Sequence, residues 1–202
     1  MHRKTPRGSG LRVEGSGRLT TSSQRRGRYA HSPQPIALSQ VRRVAIGADH
    51  GGFALKATLI PLLQAKGLEV ADLGTHSAQP CDYPQIGYKV ASAVAKGAFE
   101  RGILLCKSGI GIAIVANKVP GIRAGVCADA FDAQRSRAHN NANVLVLGAE
   151  KLSAARTKRI VQTWLATPFE AGGRHERRVR QIAAIERAIL KQKGSSRLKV
   201  QG

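Results

Sequence analysis

The sequence predicts an α/β fold, a three-layer αβα sandwich around a five-stranded parallel sheet. Short apolar runs of four to six residues alternate five times with amphipathic segments. The runs lack the strict polar–apolar alternation of a strand with one solvated face, as expected of strands covered on both sides. This alternation of strands and helices specifies a parallel sheet with right-handed crossovers.

Each predicted strand is followed by a predicted helix. The strands are predicted at residues 44–49, 69–73, 102–106, 124–128 and 144–148. The helices are predicted near 52–66, 84–97, 110–118, 130–138 and 152–165. Most apolar residues of the first helix share one face, which we expect to pack on the sheet; they are Phe53, Leu55, Leu59, Leu62 and Leu63.

A sixth, basic helix is predicted at about 174–192. One apolar stripe runs along it, formed by Val179, Ile182, Ile185 and Ile189. Such a stripe packs either on the domain itself or on a partner subunit. The predicted organisation is a basic extension at 1–40, the αβα domain at 41–171, the basic helix at 172–192 and a disordered tail at 193–202.

The net charge of +21 is concentrated in the two flanks. Residues 1–40, 41–171 and 172–202 each carry a net charge of +7, although the middle segment is by far the longest. A basic flank can attract nucleic acid or an acidic membrane, but residues 1–40 offer no platform of aromatic residues for stacking bases. We therefore expect a solvated, disordered extension and treat nucleic-acid binding as the less favoured alternative.

Three explanations of the N-terminal extension stay open. It is a disordered tail, a transit peptide, which its Arg- and Ser-rich composition allows, or a segment upstream of the true start. A secretory signal would need an apolar region that the segment lacks. Met1 is the only methionine, so a later start, for example at Val41, would need a non-AUG codon.

Cysteine usage predicts a cytoplasmic location. Cys81, Cys106 and Cys127 fit neither a paired metal motif nor an even disulfide framework, and a free thiol indicates a reducing compartment. Cys127 lies in an apolar run and is expected to be an inert core residue. No stretch approaches the roughly 18 apolar residues of a membrane span, so we expect no membrane partner.

Polar and titratable residues follow the predicted strands. Asp49 and His50 follow the first strand, Cys106 ends the third, and His139 and Asn140 follow the helix after the fourth. Ligands of an open parallel sheet bind beyond the carboxyl ends of its strands. We therefore expect these side chains to collect at one edge of the sheet.

The loop Cys106–Gly111 is the strongest candidate for chemistry. Gly109 and Gly111 let the backbone approach a ligand closely, and the following helix start can bind a phosphate or an oxyanion through its free N–H groups. The same environment favours the thiolate of Cys106. The pattern alone is equally compatible with a buried cysteine before a tight turn.

Two further patterns bear on the ligand. The turn Gly47–Gly52 does not read GxGxxG, and no GxxxxGK[ST] motif occurs, so a nucleotide site is not indicated. Arg174 and Arg178 are four residues apart on the last predicted helix and project from one face. Such a pair suits a phosphate monoester, although a solvated helix start explains it as well.

Seven motifs carry a resemblance to a known family. They are Gly47-Ala-Asp-His-Gly-Gly-Phe-Ala-Leu-Lys56, Asp82-Tyr-Pro84, Cys106-Lys-Ser-Gly-Ile-Gly111, Ala116-Asn-Lys118, Gly121-Ile-Arg-Ala124, Ser136-Arg-Ala-His-Asn-Asn141 and Gly173-Arg-His-Glu-Arg-Arg178. In this order they resemble the family of ribose-5-phosphate isomerase B and the galactose-6-phosphate isomerase subunits. The resemblance implies a Rossmann-like homodimer or dimer of dimers with the site near a subunit interface, and the apolar stripe of the last helix is compatible with such an interface. It also implies a reaction without cofactor or metal, the isomerisation of ribose 5-phosphate to ribulose 5-phosphate in the pentose phosphate pathway.

The resemblance implies a role for each matched residue. Cys106 would move a proton between C1 and C2, Ser108 would assist transfer between the two oxygens, and His139 would open the furanose ring. Backbone N–H groups would hold the enediolate oxygen; they run from Lys107 to Gly111 and include those of Gly109 and Ile110. The other matched residues would bind substrate: Asp49 and Asn140 at hydroxyls, His50, Arg174 and Arg178 at the phosphate, and Tyr83 in the pocket wall.

Three positions qualify the resemblance. The family uses either a cysteine at position 106 or a glutamate six residues later, which here is Ile112 and cannot take a proton. Lys107 stands where many members have glycine, and Glu150 where many have a phosphate-contacting arginine. A carboxylate there repels phosphate unless it points away or pairs with Lys151. Allose 6-phosphate or galactose 6-phosphate is therefore the alternative substrate, and a non-catalytic nucleic-acid-binding protein is the less favoured reading.

Overall fold

Five parallel strands form the centre of the computed structural model, which describes residues 41–198. They are β1 (Arg43–Ala48), β2 (Glu69–Asp72), β3 (Arg101–Cys106), β4 (Ala124–Val126) and β5 (Val144–Gly148). The strand order is β2-β1-β3-β5-β4, and every neighbouring pair is parallel. The predicted α/β class and five-stranded parallel sheet are confirmed. The predicted extension at 1–40 lies outside the described residues.

Six α-helices accompany the sheet in the described part of the chain. They are α1 (Phe53–Gln64), α2 (Tyr83–Ala95), α3 (Ile110–Ala116), α4 (Ala130–Ala138), α5 (Ala154–Ala166) and α6 (Arg174–Leu198). Helix α6 continues beyond the predicted boundary at 192, so the predicted disordered tail begins too early. No proline interrupts this helix, and extending an existing helix costs less than starting one.

The two faces of the sheet carry separate apolar layers. Ile103 packs in one cluster, with α1, α4 and α5, whereas its neighbour Leu104 packs in the other, with α2 and α3. Successive strand residues point to opposite faces, so each inner strand serves both layers. The arrangement is the predicted three-layer sandwich. No helix in the described range is long and apolar enough to cross a membrane.

The order of the strands places a crevice between β1 and β3. From β1 the chain moves outward to β2 and then crosses back to β3 on the other side of β1. Ligands of such sheets bind at the carboxyl ends of the two strands where the order reverses. Here those ends are Ala48 and Cys106.

Candidate active site

The loops that follow β1 and β3 meet at the carboxyl edge of the sheet. A Cβ added to Gly51 would lie 3.1 Å from Cβ of Lys107, and one added to Gly52 would lie 2.7 Å from Cβ of Leu105. Glycine at both positions therefore allows the first loop to pass directly against the end of β3. Asp49 and its neighbours share this edge with Cys106, as predicted.

Cys106 ends β3 and is 4% exposed. Its Sγ accepts a hydrogen bond from the N–H of Gly109 at 3.0 Å, a contact that stabilises negative charge on sulfur. Gly109 has φ +83°, and a Cβ there would lie 3.2 Å from the backbone nitrogen of Gly148. Glycine at position 109 thus turns the loop back over the sulfur.

The rest of the loop leads directly into α3. Ser108 is exposed, and its Oγ accepts the N–H of Ile110 at 3.3 Å. The ring of Tyr83 lies against the start of α3, because a Cβ on Gly111 would come within 2.5 Å of its Cζ. Tyr83 therefore forms a wall beside the loop.

Asp49 and His50 are held by local hydrogen bonds. Asp49 is 5% exposed and accepts the N–H of Gly52 at 3.0 Å. His50 is exposed, and its Nδ1 accepts the N–H of Cys81 at 3.2 Å. The carbonyl oxygen of Cys81 also lies 3.3 Å from this Nδ1, so the backbone of Cys81 engages Nδ1 and leaves Nε2 available to a ligand.

Lys56 stabilises this edge of the sheet through buried hydrogen bonds that the sequence interpretation did not predict. It is 1% exposed, and its Nζ donates to the carboxylate of Asp72 at 2.6 and 2.7 Å and to the carbonyl of Thr75 at 2.5 Å. The N–H of Thr75 in turn donates to Ala48 at the end of β1. A signal was present, because Lys56 lies on the same helical face as the buried leucines of α1.

The two residues that depart from the family pattern face each other. Nζ of Lys107 lies 3.8 Å from Oε1 of Glu150, and the N–H of Glu150 donates to the carbonyl of Lys107 at 3.1 Å. The structure therefore pairs Glu150 with Lys107, whereas Lys151 was the partner considered from the sequence. The two side chains are 71% and 56% exposed, so the pair contributes about 1 kcal/mol or less.

His139 and Asn140 lie at the opposite, amino-terminal edge of the sheet. Arg123, which directly precedes β4, donates from Nε to the carbonyl of Asn140 at 3.1 Å. A strand rises about 3.3 Å per residue, so the four steps from Gly102 to Cys106 separate the two edges by roughly 13 Å. The expectation of one common edge is wrong for a single chain, because a helix between parallel strands returns the chain to the edge where strands begin.

A second cluster surrounds His139. Its ring stacks on that of His175, with centroids 3.8 Å apart and planes 7° apart. Oε2 of Glu170 lies 3.8 Å from Nε2 of His139 and 3.7 Å from Nε2 of His175. Arg135 contacts Nε2 of His139 at 2.8 Å, and Arg174 donates to Nε2 of His175 at 3.4 Å. The pKa of His175 is lowered, mainly by loss of hydration and to a smaller extent by the neighbouring charges of His139 and Arg174.

The predicted site residues thus fall into two groups within one chain. The carboxyl edge holds Asp49, His50, Tyr83, Cys106, Lys107, Ser108, Gly109, Ile110 and Gly111. The amino-terminal edge holds His139, Asn140, Arg174 and Arg178. Arg178 is assigned to this group because its positive charge acts on His175.

Comparison with known proteins places this arrangement in a family. The sequence model described as Ribose/Galactose Isomerase matches residues 44–182. The chain belongs to the ribose/galactose isomerase family. The resemblance inferred from the seven motifs is therefore confirmed.

Curated relatives of this ribose/galactose isomerase family member match it over most of their length. It is 47% identical over 146 residues to ribose-5-phosphate isomerase B of Escherichia coli, across 72% of this chain and 97% of the relative. It is also 47% identical over 134 residues to D-erythrulose-4-phosphate isomerase of Pectobacterium atrosepticum, across 64% and 86%. The solved structure of Clostridium thermocellum ribose-5-phosphate isomerase B matches with a TM-score of 0.71 and 48% identity, across 73% and 99%.

In this family member, three residues of the second cluster were missed by the sequence interpretation: Arg135, Glu170 and His175. His175 stands inside a quoted motif, directly after Arg174, and its position in that motif was a usable signal. Glu170 lies three residues before that motif, in a segment without a pattern of its own. Only the fold brings it to His139, through a hydrogen bond from its N–H to the carbonyl of Ala138 at 2.9 Å.

Proposed function

We propose that this chain is a ribose-5-phosphate isomerase, which interconverts ribose 5-phosphate and ribulose 5-phosphate through an enediolate. The observation that carries the proposal is the position of the buried Cys106. It lies beside the crevice between β1 and β3, and its Sγ accepts a hydrogen bond from the N–H of Gly109. The names of the relatives agree with the predicted enzyme class, a sugar-phosphate isomerase.

Cys106 is the proposed acid and base of the reaction. As a thiolate it removes the proton from C2 of the open-chain aldose and returns it to C1, so that no net proton is gained or lost. Ser108 lies two residues away and assists proton transfer between the two oxygens. Ile112, the position of the alternative family base, is fully buried in the core and has no titratable group.

The developing charge of the enediolate needs hydrogen-bond donors in a site with little water. The turn from Lys107 to Gly111 presents its backbone next to Cys106 and is the proposed anion-binding segment. Asp49, itself held by Gly52, is the proposed partner of a sugar hydroxyl. Nε2 of His50 is the proposed donor to the phosphate at this edge.

We further propose that one catalytic site is built from two subunits of a homodimer. His139 opens the sugar ring in the proposed reaction, yet in its own chain it lies at the edge opposite Cys106. A second copy can bring its own His139, Asn140, Arg174 and Arg178 to this Cys106. The stripe on α6 supports an interface, since Ile182, Ile185 and Ile189 are 47%, 62% and 48% exposed in the single chain.

The alternatives receive less support. Hexose phosphates are not favoured, because the relatives named above are isomerases of ribose 5-phosphate and D-erythrulose 4-phosphate. D-Erythrulose 4-phosphate is the second candidate substrate, because that relative is equally identical in sequence. A cytoplasmic location is proposed on the three cysteines, which all lie in the described range and are free.

An assay of purified protein with ribose 5-phosphate and with D-erythrulose 4-phosphate tests the proposal. Cys106→Ala should lower turnover by about 10²- to 10⁴-fold, the usual range for loss of a general acid or base. Cys127→Ala is the matched control, because burial raises the pKa of that thiol to about 11 and keeps it an inert core residue. If Cys106→Ala keeps wild-type turnover, the proposed mechanism is wrong.

A further inference from the structure

Three metal-binding donor atoms come together at the amino-terminal edge of the sheet. A ring nitrogen of His139, a carboxylate oxygen of Glu170 and a ring nitrogen of His175 all lie within 4.8 Å of one another. Two histidines and one glutamate form a known protein ligand set of zinc, with water as the fourth ligand. We propose that these three residues form a binding site for a divalent transition-metal ion such as Zn²⁺.

The spacing of the donor atoms is close to what a metal ion requires. Tetrahedral zinc with bonds of 2.0–2.1 Å holds its donor atoms about 3.4 Å apart. Oε2 of Glu170 now lies 3.8 and 3.7 Å from the two Nε2 atoms, so it must approach by less than half an ångström. The two stacked rings must also tilt, so that their lone pairs meet at one point.

The positions of the three residues permit this adjustment. His139 directly follows the last residue of α4, and His175 is the second residue of α6. Both rings therefore stand at helix ends, and Glu170 belongs to the segment that connects α5 and α6. The Glu170 side chain is 59% exposed, whereas those of His139 and His175 are 21% and 12% exposed. A metal ion can enter from the solvent side, past the carboxylate.

The hydrogen bonds of the cluster leave both ring nitrogens as acceptors. Arg135 contacts Nε2 of His139, and Arg174 donates to Nε2 of His175. Each Nε2 thus presents the lone pair that a metal ion uses, with the ring proton on Nδ1. The metal ion replaces these guanidinium groups, and their positive charge and that of Arg178 oppose it. We therefore expect a dissociation constant on the order of 10 µM, and not the nanomolar affinity of a structural zinc site.

Occupancy of this site blocks the proposed isomerisation, a consequence that rests on the proposed function. A metal ion on Nε2 of His139 occupies a lone pair that proton exchange with the sugar ring needs. Zn²⁺ is then an inhibitor of ring opening, and chelation restores activity.

Titration of metal-free, full-length protein with Co²⁺, followed by visible absorption, tests the binding site without substrate. We expect one ion per chain, displaced by Zn²⁺, with a spectrum of nitrogen and oxygen ligation. His175→Ala and Glu170→Gln should each weaken binding at least tenfold. His76→Ala is the matched control, since His76 also faces a carboxylate, that of Asp72 at 3.6 Å, and it should leave binding unchanged. Arg174→Gln should tighten binding several-fold.

Three results would overturn the metal site. They are no saturable Co²⁺ binding, binding that both His175→Ala and Glu170→Gln leave intact, or a sulfur-to-cobalt charge-transfer band, which would assign the ion to a cysteine. Weaker Co²⁺ binding by Arg174→Gln would also count against it, because removal of a positive charge must favour a cation. Saturable binding by a protein without isomerase activity would refute the proposed function and leave the metal site standing.

Discussion

Mixing two inactive variants, Cys106→Ala and His139→Asn, tests whether one catalytic site uses two subunits. Within one chain the two residues lie at opposite edges of the sheet, and these edges are roughly 13 Å apart along β3. A sugar phosphate that contacts Cys106 therefore needs His139 from another copy. In a mixed dimer one site then contains both substitutions, and the other site contains neither.

The expected activity follows from the statistics of a two-fold dimer. Random reassortment makes half of the dimers mixed, and each mixed dimer has one intact site of two, so about one quarter of wild-type activity should return. The assay measures ribulose 5-phosphate formation after the two variants are unfolded and refolded together, with each refolded alone as background. The double variant Cys106→Ala/His139→Asn mixed with wild type is the control: each site of a mixed dimer then lacks one of the two residues, so only the wild-type dimers, about one quarter of all dimers, should be active. Activity of the first mixture that stays at background would show that both residues act within one chain.

Three further predictions concern stability and substrate affinity. Burial alone would raise the pKa of Glu100, but hydrogen bonds from two backbone N–H groups at the start of β1 and from an arginine side chain lower it below its ordinary 4.5. Glu100→Gln should therefore reduce the free energy of unfolding at pH 7 by about 1–2 kcal/mol. Urea titrations should show that this difference between variant and wild type shrinks as the pH falls below 4.5. Gly148→Ala would place a Cβ 2.6 Å from the carbonyl oxygen of Ser108, so we expect a lower melting temperature and slower turnover, and unchanged values would contradict the packing. Glu150→Gln frees Lys107 from its ion pair and should lower the KM for ribose 5-phosphate about two- to fivefold; a higher KM would show that the carboxylate does not oppose the phosphate.

The candidate site was predictable from sequence where its residues are neighbours in the chain. Gly109 and Gly111 indicated a tight loop around Cys106. The structure has this loop, and the N–H of Gly109 within it donates a hydrogen bond to the Cys106 sulfur. The ion pair of Lys107 and Glu150 was not predictable, because the two residues are more than forty positions apart and meet only when β3 and β5 pair. Glu170 was missed for the same reason.

The sequence by itself determined the order and type of the elements, since apolar periodicity is a local property of each segment. It also identified the loop of Cys106 and the family, because both are recognised from short motifs and from the order of these motifs along the chain. Only the tertiary structure decided which edge of the sheet each motif reaches. His139 follows a helix and Cys106 follows a strand, and a helix that connects parallel strands reverses the direction of the chain. This reversal places the two predicted catalytic residues at opposite edges of one subunit, and it leads us to propose a second subunit for the complete site.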